Sequence, residues 1–60
     1  MKIMIIDNNL DFVLGLRHML KKEKFTVDYS IEAEKGLSMV VNNKYDLILL
    51  DINLLILHIL

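Results

Sequence analysis

The segment Tyr45–Leu60, YDLILLDINLLILHIL, decides how this chain is read. Its first half is a continuous apolar run broken by one carboxylate, Asp51. A run of this kind, short and rich in branched aliphatics, suits a strand buried on both faces of a parallel sheet. A charge stranded among apolar neighbours costs several kcal/mol unless it is paired or lies at an open end. Asp51 is therefore expected at the end of the strand, where the chain leaves the core.

Working back from this strand, the same logic finds two more. KIMII (Lys2–Ile6) is another continuous apolar run, and it ends in DNN, a loop and helix-start signal. LDFVLGLRHMLKKE follows with Phe12 or Val13, Leu16, Met19 and Leu20 at helical spacing. Asp11 lies early and the lysines late, as a helix dipole favours. Gly15 inside this helix is explained either by close helix–sheet packing or by plain tolerance. FTVDY alternates and reads as a second strand. Ser30 is the expected N-cap of a second helix, with Glu32 and Glu34 in its first turn and Leu37, Val40 and Val41 as its apolar stripe. NNK stops that helix, an asparagine supplying a left-handed C-cap. The methionines at 1, 4, 19 and 39 are initiator or gap-filling core residues.

Strand, helix, strand, helix, strand implies parallel βαβ units with right-handed crossovers. The fold class is α/β. If the chain doubles back after the second strand, the order is 2-1-3 with KIMII in the centre. Asp7 and Asp51 then stand together at the carboxyl ends of adjacent strands. In open α/β sheets ligands bind there, at the switch point of strand order.

Composition sets the limits. At 60 residues the chain makes one domain. A chain of that size buries only about 60% of its unfolded surface. Hydrophobic content is 55%, so some apolar surface is expected to be covered by another body. There is no cysteine, hence no disulfide and no thiolate metal site, in keeping with a reducing compartment. At a net charge of −1 nothing argues for nucleic acid and none is expected as a partner, and the cluster Lys21, Lys22 and Lys24 reads as a solvated helix end. The apolar start stops at Asp7, too soon for a secretory signal. The tail LLILHIL falls far short of the roughly 20 residues a membrane span needs, and Asp51 opposes insertion of the longer joined run. A soluble, cytoplasmic chain is expected.

The chemistry available at the rim is that of carboxylates. Asp7 and Asp51 would repel each other unless a cation sits between them, and Mg²⁺ takes one or two carboxylates together with water and phosphate oxygens. A carboxylate can also attack phosphorus as a nucleophile. Asp7 and Asn8 have helix N-capping as their second reading, and one residue can do both.

At these residues the chain resembles the receiver domain of bacterial two-component response regulators. That family opens with a strand such as KILIVDDE, and here the start is KIMIIDNN. A helix of the form xxLRxxLxxxGFxV follows, and here it is LGLRHMLKKEKFTV. The family's phosphorylation strand, YDLILLDixLP, is matched by YDLILLDINLL. The likeness covers residues 1–54 and implies a truncated flavodoxin-like receiver, βαβαβ, followed by a divergent apolar tail at 55–60. It implies that Asp51 is the phosphoacceptor, served by a sensor histidine kinase, and that the chain is not an enzyme in its own right. It places Asp7 at the first acid of the family's metal-binding pair. Asn8 stands where the second acid belongs, so Mg²⁺ affinity should be weakened. Asn53 matches the position whose backbone carbonyl ligates the metal.

The departures count as well. After Leu54 the family expects proline and a GMDG-like loop, and here LILHIL ends the sequence. The later strands and helices, the hydroxyl residue, the lysine and the aromatic switch residue have no counterpart, so phosphoryl transfer is expected to be impaired. A frameshift, a premature stop or a deliberate truncation would each account for this. The alternative function is a non-catalytic interaction fragment. Its third strand would be an exposed apolar edge that self-associates through LILLDINLLIL. A phosphatase of the haloacid dehalogenase type would need an acid two residues after Asp51, where Asn53 stands. Flavodoxin-like nucleotide binders would need phosphate-cradling glycines that DNN does not offer. His18 is expected in solvent, and His58 has no partner in the tail.

Overall fold

The computed structural model describes residues 1–54; the tail at 55–60 lies outside them. The elements are β1 (Lys2–Ile6), α1 (Leu10–Lys22), β2 (Thr26–Ser30), α2 (Ala33–Asn42) and β3 (Leu47–Leu50). The three strands form one sheet in the order β2-β1-β3, and both pairings are parallel. The expected α/β class, the strand order and the central place of KIMII are therefore found. Residues 52–54 are helical. No helix among the described residues is long and apolar enough to cross a membrane.

The central strand explains the core. Ile3, Met4, Ile5 and Ile6 are all buried in sequence, as a strand covered on both faces requires. Ile3 and Ile5 pack with Val13, Leu16 and Leu20 of α1. Ile6 points the other way and meets Gly36 of α2. The two helices thus cover opposite faces, the result of alternation along β1. Each fully buried aliphatic side chain contributes about 1.5–3 kcal/mol.

β3 differs from its sequence reading. Only Leu49 packs against the core, while Leu47, Ile48 and Leu50 keep 42%, 42% and 39% of their surface exposed. The strand is as apolar as a buried one but sits at the sheet edge with neither face fully covered.

α1 is capped by Asn9, whose Oδ1 accepts from the Phe12 N–H at 3.1 Å. The capping role considered for Asp7 and Asn8 belongs to neither. The helix ends in a Schellman arrangement: Lys24 N–H donates to Lys21 O at 2.9 Å and Phe25 N–H to Leu20 O at 3.3 Å. Lys24 takes the left-handed conformation, φ 65°. Within α1, Val13 is buried, but Phe12 and Met19 are exposed and leave the expected stripe. Gly15 has open space where a Cβ would be, so its reading as plain tolerance holds and close packing does not.

α2 corrects three further expectations. Its N-cap is Glu32, not Ser30; Ser30 ends β2 and its hydroxyl accepts from the Glu32 N–H while donating to the Glu32 carbonyl. Asn43 is extended rather than left-handed; the helix end is instead held by side-chain amides, Asn42 donating to Ser38 O and Asn43 to Met39 O. The buried face is Ala33 and Gly36, with Met39 and Val40 half-buried, whereas Leu37 and Val41 face outward. Small residues lie inside because α2 sits so close to β1 that only glycine fits against Ile6.

Candidate functional site

The carboxyl rim of the sheet brings together residues far apart in sequence. Ile6 pairs with Leu50, so Asp7 and Asp51 are the next residues on neighbouring strands. The Asp51 N–H donates to the Ile6 carbonyl at 2.9 Å, continuing the ladder one step past the strand. On the other side the Asp7 N–H donates to Ser30 O at 3.1 Å. The main chain of both acids is thereby anchored to β1 or its neighbour.

The two carboxylates make the same local turn. Asp7 Oδ1 accepts from the Asn9 N–H at 2.9 Å, and Asp51 Oδ1 from the Asn53 N–H at 3.0 Å. Aspartate favours this closure two residues on because its short side chain reaches its own backbone. Both residues are half-buried, and both border an open hollow of about 390 Å³. Ile5, Leu16 and Leu49 form its apolar floor and Phe12 one wall. The site is thus a pair of acids over a hydrophobic basin.

Of the four site residues expected from sequence, Asp7 and Asp51 are brought together. Asn8 is exposed in the loop after β1, and Asn53 is exposed just past Asp51, its N–H engaged by the Asp51 carboxylate. All four offer oxygen donors, the chemistry that a hard cation such as Mg²⁺ takes. Among the described residues no group of three or more carboxylate, histidine or cysteine side chains converges. The donor set fits an ion that keeps several waters and takes only one or two carboxylates from the protein.

Sequence reasoning missed Phe12 as the wall of the hollow. The spacing offered Phe12 or Val13 for the core; the helix rotation sends Val13 inward and Phe12 toward the rim. His18 is exposed on α1 among Leu14, Arg17, Lys21 and Lys22, a solvated face as expected. His58 lies outside the described residues.

A second polar cluster lies away from that rim. The Tyr45 hydroxyl donates to Asp28 Oδ2 at 2.7 Å, the Lys2 ammonium sits 4.9 Å from the Tyr45 ring centre, and the Lys2 N–H donates to Asp46 Oδ2 at 2.7 Å. Burial of the phenol, the hydrogen bond to Asp28 and the Asp28 charge together push the Tyr45 pKa up to about 12. No spacing signal links residues on different strands, so this cluster was not visible in the sequence.

No family model, no curated protein and no solved structure matches the chain.

Proposed function

We propose that residues 1–54 are a partial receiver module of two-component signalling, with Asp51 as phosphoacceptor. The observation that carries this reading is the Asp51 N–H bond to the Ile6 carbonyl, which sets Asp51 beside Asp7 at the carboxyl rim. That is the arrangement the resemblance to response regulators requires. A cytoplasmic location and a sensor histidine kinase as phosphodonor go with it.

In this reading the free carboxylate oxygen of Asp51 attacks phosphorus. The bond from phosphorus to the donor's leaving group breaks, the leaving group departs with its electron pair, and an acyl phosphate forms. The Asn53 N–H holds Oδ1, which leaves the other oxygen to act as nucleophile. Asp7 and Asp51, with the oxygens of Asn8 and Asn53, would hold Mg²⁺. The ion, when bound, neutralises charge on the phosphoryl oxygens. Asn8 supplies an amide where the family has a carboxylate, which lowers the attraction for the cation.

The test is incubation of the chain with Mg²⁺ and acetyl phosphate, followed by intact mass. A gain of one phosphoryl group, lost in Asp51→Asn, is the expected result. No modified species under conditions that phosphorylate a full receiver would end the catalytic reading. The second reading, a non-catalytic interaction fragment, is favoured by one observation: the exposed apolar side chains of β3.

A further inference from the structure

β2 is an edge strand of the described sheet, and a side chain from α1 lies on that edge. In a parallel ladder, alternate residues turn both backbone groups toward the neighbouring strand. The Thr26 N–H bond to Met1 O and the Asp7 N–H bond to Ser30 O assign Thr26, Asp28 and Ser30 to the β1 side. Val27 and Tyr29 therefore turn their N–H and C=O groups outward. Arg17 meets both residues. Its Nε–H donates to the Val27 carbonyl at 3.4 Å, and its guanidinium carbon lies 5.7 Å from the centre of the Tyr29 ring, within reach of the ring's negative face. Arg17 is half-buried, whereas its helix neighbours His18, Lys21 and Lys22 are exposed. β2 itself carries little against pairing with a further strand. TVDYS has no proline, and its one charged residue, Asp28, is engaged across the sheet by the Tyr45 hydroxyl.

We infer that Arg17 closes the β2 edge and holds the chain back from self-association by strand addition there. Val27 and Tyr29 are the two outward residues among the five of β2, so one side chain attends to the whole outward run. A strand laid along β2 would compete with Arg17 for the Val27 carbonyl. It would also have to lift the guanidinium off Tyr29 or bury its charge beneath itself. Burying an unpaired charge is strongly unfavourable, and a charge set against an edge is one of the devices by which sheets avoid unwanted pairing. Arginine suits this place because its charge is permanent, its donors form a rigid planar fork, and the same plane lies well against an aromatic ring. The half-buried stem carries the head across the edge from α1, so packing and charge act together. This role rests on the sheet alone and is independent of phosphoryl transfer at Asp51.

Arg17→Met keeps the helix propensity and an apolar stem but removes the charge and the donor. In sedimentation velocity at tens of micromolar it should shift to larger species than the unaltered chain. Lys21→Met also replaces a cation by methionine, one turn further along α1 at an exposed place, and should sediment as the unaltered chain does. No shift in Arg17→Met overturns the proposal. A shift of equal size in both variants overturns it too, because lost charge and not an opened edge would then drive association. The contact itself is tested without any substitution, since Arg17 is the one arginine of the sequence. Its Nε–H should exchange with water several-fold more slowly than that of a free arginine, read by nitrogen-15 NMR. Exchange as fast as in free arginine overturns the closure, even where Arg17→Met fails to fold.

Discussion

The Tyr45 hydroxyl reaches over β1 to donate to Asp28 on β2, at 2.7 Å. One side chain from the lead-in to β3 thus ties together the two strands that flank the central one. Lys2 of β1 lies against the same ring, 4.9 Å from its centre. The bond spans 17 positions of sequence and joins the two strands on either side of β1.

The protonated phenol is the form that makes this bond. Its pKa stands at about 12 in the folded chain against 10.0 for an ordinary tyrosine, burial being the first cause and Asp28 the next. A raised pKa means that the folded state holds the proton more tightly than the unfolded one. The contribution is complete below pH 10 and is lost as pH rises toward about 12. Phenolate absorbance should show one late-titrating tyrosine that Tyr45→Phe removes. The same substitution should lower stability at neutral pH by about 1 kcal/mol, read from the denaturant midpoint. An unchanged midpoint would show that the bond contributes nothing.

Gly36 and Gly15 should respond in opposite ways to alanine. A Cβ at Gly36 would stand 2.8 Å from Ile6 Cδ1 and Cγ1, whereas a Cβ at Gly15 would meet nothing within 4 Å. Gly15→Ala should therefore stabilise by up to about 1 kcal/mol through helix propensity. At Gly36 the same gain is outweighed by overpacking, typically about 1–3 kcal/mol, so Gly36→Ala should be net destabilising. Thermal midpoints shifting the same way in both variants would contradict the close approach of α2 to β1.

Lys24 occupies a conformation suited to glycine, φ 65°. A left-handed L-residue costs roughly 1–2 kcal/mol, and glycine returns part of this through its freer unfolded chain. Lys24→Gly should raise stability by about 0.5–1 kcal/mol. A lower midpoint for Lys24→Gly would show that the lysine makes a compensating contact.

If the paired acids bind Mg²⁺, Asn8→Asp should tighten that binding about fivefold, the equivalent of roughly 1 kcal/mol of screened attraction. Calorimetric titration reads this directly, and Asp7→Asn should reverse it. An Mg²⁺ affinity that ignores both substitutions would remove Asn8 and Asp7 from the metal site.

Much of the architecture was legible because it depends on local pattern. KIMII is apolar at every position after Lys2, and such a run needs cover on both faces, which only a central strand receives. Asp7 and Asp51 each follow an apolar run, which marked the ends of two strands. The carboxyl rim then followed from parallel connections alone. The caps were less legible. Asp7, Asn8 and Asn9 are all competent to cap a helix, and only the backbone path chooses Asn9. Ser30, likewise a good cap by type, is instead buried at the end of β2, where its hydroxyl serves the Glu32 backbone.

By itself the sequence determined the α/β class, the succession of elements along the chain, and the place of Asp7 and Asp51 at the carboxyl ends of two strands. Periodicity and the handedness of βαβ units suffice for these. The structure decided that the chain doubles back and sets those strands side by side. Tertiary structure alone decided that Val13 and not Phe12 enters the core, that α2 buries Ala33 and Gly36 rather than Leu37 and Val41, and that Tyr45 joins Asp28. It also decided that β3, the most apolar strand, lies at the exposed edge. The physical reason is that hydrophobicity states which residues gain from burial, while the distance between elements and the position of each strand determine which of them obtain it.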